Sequence, residues 1–326
     1  MRSAGICKDT VGIVGEWIHV GKNKTIISPL ERSVGGTCKL LQTPTLYRGM
    51  SGQPTYEGAK CECPSFVDEY EWTSPQLSTP FSADHTCELL GNQTVLFIGD
   101  STSQQAASTL MNALVPASCQ TQIFSALSDT LIGCQYGAMN RGKRWNEWVE
   151  ELNPDIVVLS VGAHVSKGHD AYYLGIIDMV LHEMEAMQQE KPNIKFVWKT
   201  QSPGGCTNDI VSPQNATHAF VMSEANHRYN YGRMPNRDQL LLSRLQMLNI
   251  PYLDLRMLYS RSDAHVSSPY PSNAQNDCLH MCIPGPLEVI APLFEELLVR
   301  LNNHYTPLVF NMEYLYWIAP DYLLCK

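Results

Sequence analysis

Three residues whose types suit nucleophilic acyl transfer stand in two distant stretches of this chain: Ser101 in "VLFIGDSTSQQ", and Asp277 with His280 in "NDCLHMCIPGP". A serine hydroxyl is a weak nucleophile until an imidazole takes its proton. That imidazole in turn needs a carboxylate to fix its tautomer and stabilise its cation. One Asp-x-x-His turn supplies both partners if it reaches the serine. Each stretch alone also has a plainer reading, because Asp and Ser are favoured helix N-caps and an isolated Asp-x-x-His suits a cap beside an exposed imidazole.

The elements around these residues set the serine's position, and on this stretch alone the N-cap reading is the favoured one. Val95 to Ile98 is an apolar run ending at Gly99, which reads as a buried strand, and the residues after Ser101 read as a helix. Gly99 and Asp100 then form the turn, and Ser101 offers a backbone N–H at a helix N-terminus, where developing negative charge is stabilised. Strand candidates recur at 94–99, 155–162, 194–200 and 250–255, with helices expected at 102–114, 143–152, 170–190, 218–248 and 286–303. Continuous apolar strands alternating with helices predict an α/β fold with a central parallel sheet covered on both faces. Such sheets bind ligands at the carboxyl ends of their strands, where Ser101, Gly162 to His164 and Gln201 to Gly204 fall. Trp145 and Trp148, at helical spacing, are expected in the core. Residues 1–92 form a cysteine-rich, loop-rich region with short strands, and 93–326 the domain that carries the chemistry.

Composition narrows the function classes. A chain of 326 residues, 44% hydrophobic, buries a full core, and a net charge of −9 with no Lys/Arg run excludes a phosphate-backbone partner. Nucleic acid is therefore not expected. Eleven cysteines could signal zinc or disulfides. Cys61-x-Cys63 and Cys278-x-x-x-Cys282 lack the paired C-x-x-C knuckles of a structural zinc site, so no metal is expected and an oxidising compartment is the better account. Sequons at Asn23, Asn92 and Asn215 point to the same compartment. The residues from Met1 show no leader, and no uninterrupted apolar run is long enough to span a bilayer, so a targeting or anchor segment is expected to be missing from this chain.

Taken together, the two stretches resemble a known family. Gly99-Asp100-Ser101 after a first strand, with Asp277-x-x-His280 before the final helix, is the arrangement of GDSL/SGNH esterases. The closer resemblance is to the plant trichome-birefringence-like proteins with their PC-esterase domain. Their second motif corresponds to Asp277-Cys278-Leu279-His280-Met281-Cys282-Ile283-Pro284-Gly285. "LDLRMLYSRSDAHVS" (253–267), "VWKTQSP" (197–203) and the N-terminal "CKDTVGIVGEW", "YEW" and "HTCELL" look like further segments of that family.

The resemblance implies a three-layer α/β/α SGNH-hydrolase-like fold and an O-acetyltransferase of the Golgi lumen. It would move an acetyl group through a Ser101 ester to polysaccharide hydroxyls, with an acetyl donor as co-substrate and no cofactor. A carbohydrate acetylesterase with the same triad and a catalytically inactive glycan-binding protein are the alternatives. The resemblance also implies that Cys278 pairs with Cys206 and Cys282 with Cys61 or Cys63; Cys7 with Cys87 is a further candidate pair and, eleven being odd, Cys325 is the candidate for the unpaired cysteine. The chain departs from the family at three places. Gln104-Gln105-Ala106 replaces an Arg-Asn-Gln cluster, Met281 replaces a tryptophan, and Gly162-Ala163-His164-Val165 replaces Gly-His-Trp-Trp. In the wider esterase group a Gly-x-Asn donates to the oxyanion, and His164 stands either in that asparagine's place or opposite a tryptophan.

Overall fold

A computed structural model describes residues 10–11, 15–21, 69–75, 77, 80–117, 119–133, 142–165, 170–202, 231–261, 264–266, 277–281 and 285–305. Among these, six strands form one parallel sheet: β1 (Thr10–Val11), β4 (Thr94–Gly99), β5 (Gln122–Leu127), β6 (Ile156–Leu159), β7 (Lys195–Lys199) and β8 (Tyr252–Leu253). Their order is β1-β8-β7-β6-β4-β5, and every neighbouring pair runs parallel. A short antiparallel pair, β2 (Glu16–His19) and β3 (Tyr70–Thr73), stands apart from it, as does a second pair, β9 (His265–Val266) and β10 (Asp277–Met281).

The helices are α1 (Ala83–Leu90), α2 (Ser101–Leu114), α3 (Trp145–Leu152), α4 (Asp170–Glu190), α5 (Met234–Met247) and α6 (Ile290–His304). Strand side chains alternate between the two faces of a sheet, so β4 serves two cores at once. Val95 and Phe97 pack with α1, α2 and α6, while Leu96 and Ile98 pack with α3, α4 and α5. All four are 0% exposed, which is why this strand reads as an unbroken apolar run. The result is the three-layer α/β/α architecture expected from the sequence, and Trp145 and Trp148 are buried in it as expected.

Several local expectations need correction. Helix α1 and strand β5 were not expected, and the strand expected over 155–162 is Ile156–Leu159. The 250–255 run contributes only Tyr252–Leu253. The expected 218–248 helix is described as a turn of 3-10 helix at Tyr231–Arg233 followed by α5, with 218–230 outside the described residues. Asp277 to His280, expected in a turn, lies in β10, which pairs Asp277 with Val266 and Met281 with His265 across an irregularity. Cys87 is bonded to Cys119, not to Cys7, because the last turn of α1 and the segment entering β5 bring their Cα atoms to 5.2 Å. Cys7, Cys61, Cys63, Cys206, Cys282, Asn23 and Asn215 lie outside the described residues, as does the side chain of Cys278. Asn92 is exposed in the turn after α1. Among the described residues no helix is long and apolar enough to cross a membrane.

A buried cation helps tie the β2–β3 pair to the rest. The Arg261 guanidinium lies 4.9 Å from the Trp17 ring centroid and 5.0 Å from that of Tyr70, and Trp17 Nε1 donates to the Met257 carbonyl at 3.1 Å.

Candidate active site

Strand β4 delivers the chain to a sharp turn in which each residue has a separate task. Gly99 is tight: a Cβ there would overlap the Ser103 hydroxyl and the Ser160 carbonyl. Asp100 is the N-cap of α2, accepting from Thr102 N at 2.9 Å and from Thr102 Oγ1 at 2.6 Å. Ser101 is the first helical residue, so no earlier turn provides an acceptor for its N–H. Burial opposes the charge on Asp100, but His164, the Thr102 hydroxyl and Lys199 outweigh it and hold the carboxyl below its ordinary range.

The imidazole comes from the other end of the chain. In β10, Leu279 and Met281 are buried at 2% and 1% exposure, and His280 between them turns to the opposite side. Its Nε2 lies 2.7 Å from Ser101 Oγ, across 179 residues of sequence. With the ring proton on Nδ1, Nε2 accepts the serine hydroxyl, the arrangement in which a base removes that proton. The strand is fastened to α2 next to this contact. Gln105 Nε2 donates to the Met281 carbonyl at 2.9 Å, and Met281 N donates back to Gln105 Oε1 at 3.1 Å. Asp277 stands three residues before His280 in the same strand, and its side chain lies outside the described residues.

Behind the serine lies a layer of buried polar groups at the carboxyl ends of the parallel strands. The His164 imidazole, 4% exposed, sits with Nε2 3.6 Å from Asp129 Oδ1, just past β6 and β5 respectively. Gly162 leaves room for Gln201, whose side-chain amide a Cβ would overlap. Asp238 in α5 accepts from Gln201 N at 3.3 Å and from Tyr259 Oη at 2.5 Å. Burial pushes the Asp238 carboxyl up to about 7 despite those two donors. Burial also brings the Lys199 ammonium down to about 8, against the attraction of Asp100 and Asp238.

The structure therefore brings Ser101 and His280 together, with Gly99 and Asp100 shaping the serine's turn and Gly162 and His164 at the same edge of the sheet. Asp129, Lys199 and Asp238 carry no expectation from the sequence, and Gln105 enters there only as part of the departure at 104–106. The available signals were that Lys199 ends an apolar strand and that Gln105 stands one helical turn after Ser101. Among the described residues no three His, Cys, Asp or Glu side chains gather as a metal site.

The fold is thus a parallel α/β sandwich with a serine–histidine pair at the carboxyl end of β4, the strand next to one edge of the sheet. No family model and no curated protein sequence matches the chain. Solved structures with some likeness include the periplasmic domain of the Salmonella ser. Paratyphi A lipopolysaccharide acetyltransferase, 15% identical over 65% of this chain and 83% of that one, with a TM-score of 0.39. A GDSL-like lipase from Bacteroides thetaiotaomicron is 13% identical over 63% and 88%, with a TM-score of 0.38. A family two carbohydrate esterase from Cellvibrio japonicus is 12% identical over 64% and 62%, with a TM-score of 0.35. At these scores none of the likenesses carries an activity or a residue role over to this chain.

Proposed function

We propose that this chain is an O-acetyltransferase that carries an acetyl group through a Ser101 ester to a hydroxyl of a polysaccharide. The observation that supports it most is the 2.7 Å contact between Ser101 Oγ and His280 Nε2, with the serine at the first position of the helix that follows β4. The Cys-x-His-x-Cys-x-Pro-Gly frame around His280 favours transfer to a glycan, through its resemblance to the trichome-birefringence-like family. The scheme uses side chains and backbone only, with an acetyl donor as co-substrate and no cofactor.

Ser101 Oγ attacks the acetyl carbonyl carbon as His280 Nε2 takes the hydroxyl proton, and Asp277 holds the ring. The oxyanion is met by the Ser101 N–H, with Gly162 or His164 as the second donor; losing one such donor costs about 2.7–4 kcal/mol of transition-state stabilisation. Collapse of this intermediate breaks the bond to the donor's leaving group, which His280 protonates. A sugar hydroxyl then gives its proton to His280 and attacks the acetyl-serine, and a second collapse releases the acetylated sugar and returns the proton to Ser101. The cysteines and sequons support a secretory-pathway setting, and the family resemblance favours the Golgi lumen.

The test offers the protein p-nitrophenyl acetate with a panel of plant oligosaccharides and follows acetyl groups by mass. Acetylation of one oligosaccharide faster than release of acetate, lost in Ser101→Ala, is the expected result. Acetate release with no acetylated sugar would replace transfer by hydrolysis. No turnover, with glycan binding unchanged in Ser101→Ala, would replace catalysis by binding.

A further inference from the structure

We infer that Gln105 is a positioning residue that sets the distance between the serine and the imidazole by gripping the main chain of Met281. The inference rests on the catalytic reading of Ser101 and His280. Gln105 is 4% exposed, and its carboxamide bonds both polar groups of Met281's main chain, donating to the carbonyl and accepting from the N–H. Met281 pairs with His265 on its other side, so the side chain of Gln105 acts as a one-residue strand partner for β10.

Two features make this a positioning device and not only a packing contact. Residues one turn apart share a helix face, so α2 carries the nucleophile at 101 and the clamp at 105 on one rigid rod. On the other side, Met281 follows His280 directly, so the clamp holds the peptide bond that joins the two. A slip of β10 along α2 would break both hydrogen bonds and carry the imidazole away from Ser101 Oγ in the same movement. The site calls for a carboxamide, which presents a donor and an acceptor from one plane. Glutamate keeps the acceptor and sets a negative charge against the Met281 carbonyl, asparagine is one methylene short, and leucine keeps the bulk without either bond.

The test is the rate at which a fluorophosphonate labels folded protein. In that step Ser101 Oγ bonds to phosphorus, the P–F bond breaks, fluoride leaves and the serine proton passes to His280. The proteins compared are wild type, Gln105→Leu, Gln105→Glu, His280→Ala and the double variant Gln105→Leu with His280→Ala. We expect labelling of wild type at Ser101 and a fall of about a hundredfold in Gln105→Leu, the scale of a misplacement near 1 Å. Gln105→Glu, which keeps the bond from Met281 N, should fall less. The double variant should be no slower than His280→Ala alone, because a residue acting through His280 has nothing left to position. Wild-type rates in both Gln105 variants, or effects that multiply in the double variant, would overturn the role of Gln105 while leaving the catalytic reading in place. A wild type not labelled at Ser101 would overturn that reading and the role of Gln105 with it. If Gln105→Leu does not fold, the comparison is made with Gln105→Glu, alone and with His280→Ala.

Discussion

Asp100 performs two tasks at one position. It caps α2 through Thr102, and it carries a negative charge in a buried layer that also holds Lys199 and His164. Substitution separates the two. Asp100→Asn keeps an oxygen for the cap and removes the charge. Asp100→Ala removes both, adding the loss of a cap, about 1 kcal/mol, to the loss of the carboxylate's attraction for Lys199 and His164. Urea denaturation should therefore rank the midpoints wild type, then Asn, then Ala, and equal midpoints for Asn and Ala would remove the cap from the account. At this scale the sequence was legible where chemistry and a local signal coincide, as in Gly99-Asp100-Ser101 and Asp277-x-x-His280. Asp129, Lys199 and Asp238 were not, because a carboxylate or an amine declares nothing until the fold removes it from water and chooses its neighbours.

Helix α5 is joined to the sheet edge through Asp238, whose carboxyl meets Gln201 N from the end of β7 and the Tyr259 hydroxyl. Its folded pKa of about 7 stands above the ordinary 3.8, so the folded state holds this proton more tightly than the unfolded chain does. Its contribution to stability is complete below the unfolded pKa and is lost as pH rises through about 7. Lys199, brought down from 10.5 to about 8, contributes stability that is present at high pH and lost as pH falls through about 8. It is charged in both states at lower pH, which leaves Asp238 the window between them. The melting temperature of wild type should fall from about pH 5 to about pH 7 more than that of Asp238→Asn; parallel curves would show that this carboxyl titrates normally. Among the elements themselves, β4, β6, β7 and α4 were legible because burial on both faces or length gave them an unmistakable pattern. Strand β5 was missed because Ser125 and Ala126 dilute its apolar run, and α1 because eight residues inside a polar stretch give little periodicity. Phe97→Ala, in the centre of β4 and 0% exposed, should cost about 3–5 kcal/mol by thermal or chemical unfolding. A cost below 1 kcal/mol would contradict the two-sided core.

Across the whole molecule, the site joins distant parts of the chain, and the disulfide shows how. Cys87–Cys119 closes a loop of separation 32 that contains β4, the Gly-Asp-Ser turn and all of α2. Its reduction should lower stability by about 2–4 kcal/mol, read as an earlier denaturant midpoint. An unchanged midpoint would mean that this bond adds nothing to the fold. The pairing was beyond the sequence, since cysteine positions do not reveal which turns the sheet will bring together. The 2.7 Å approach of His280 to Ser101 joins the two stretches singled out in the sequence, at a distance set by where β10 settles against α2. That approach is the centre of the account, and one measurement tests it most directly: acid-quenched protein after brief exposure to p-nitrophenyl acetate, digested and mapped by mass spectrometry. The account predicts a single acetyl group on Ser101, absent from Ser101→Ala and strongly reduced in His280→Ala. Acetylation elsewhere with Ser101 unmodified, or an equal yield on Ser101 without His280, would contradict it.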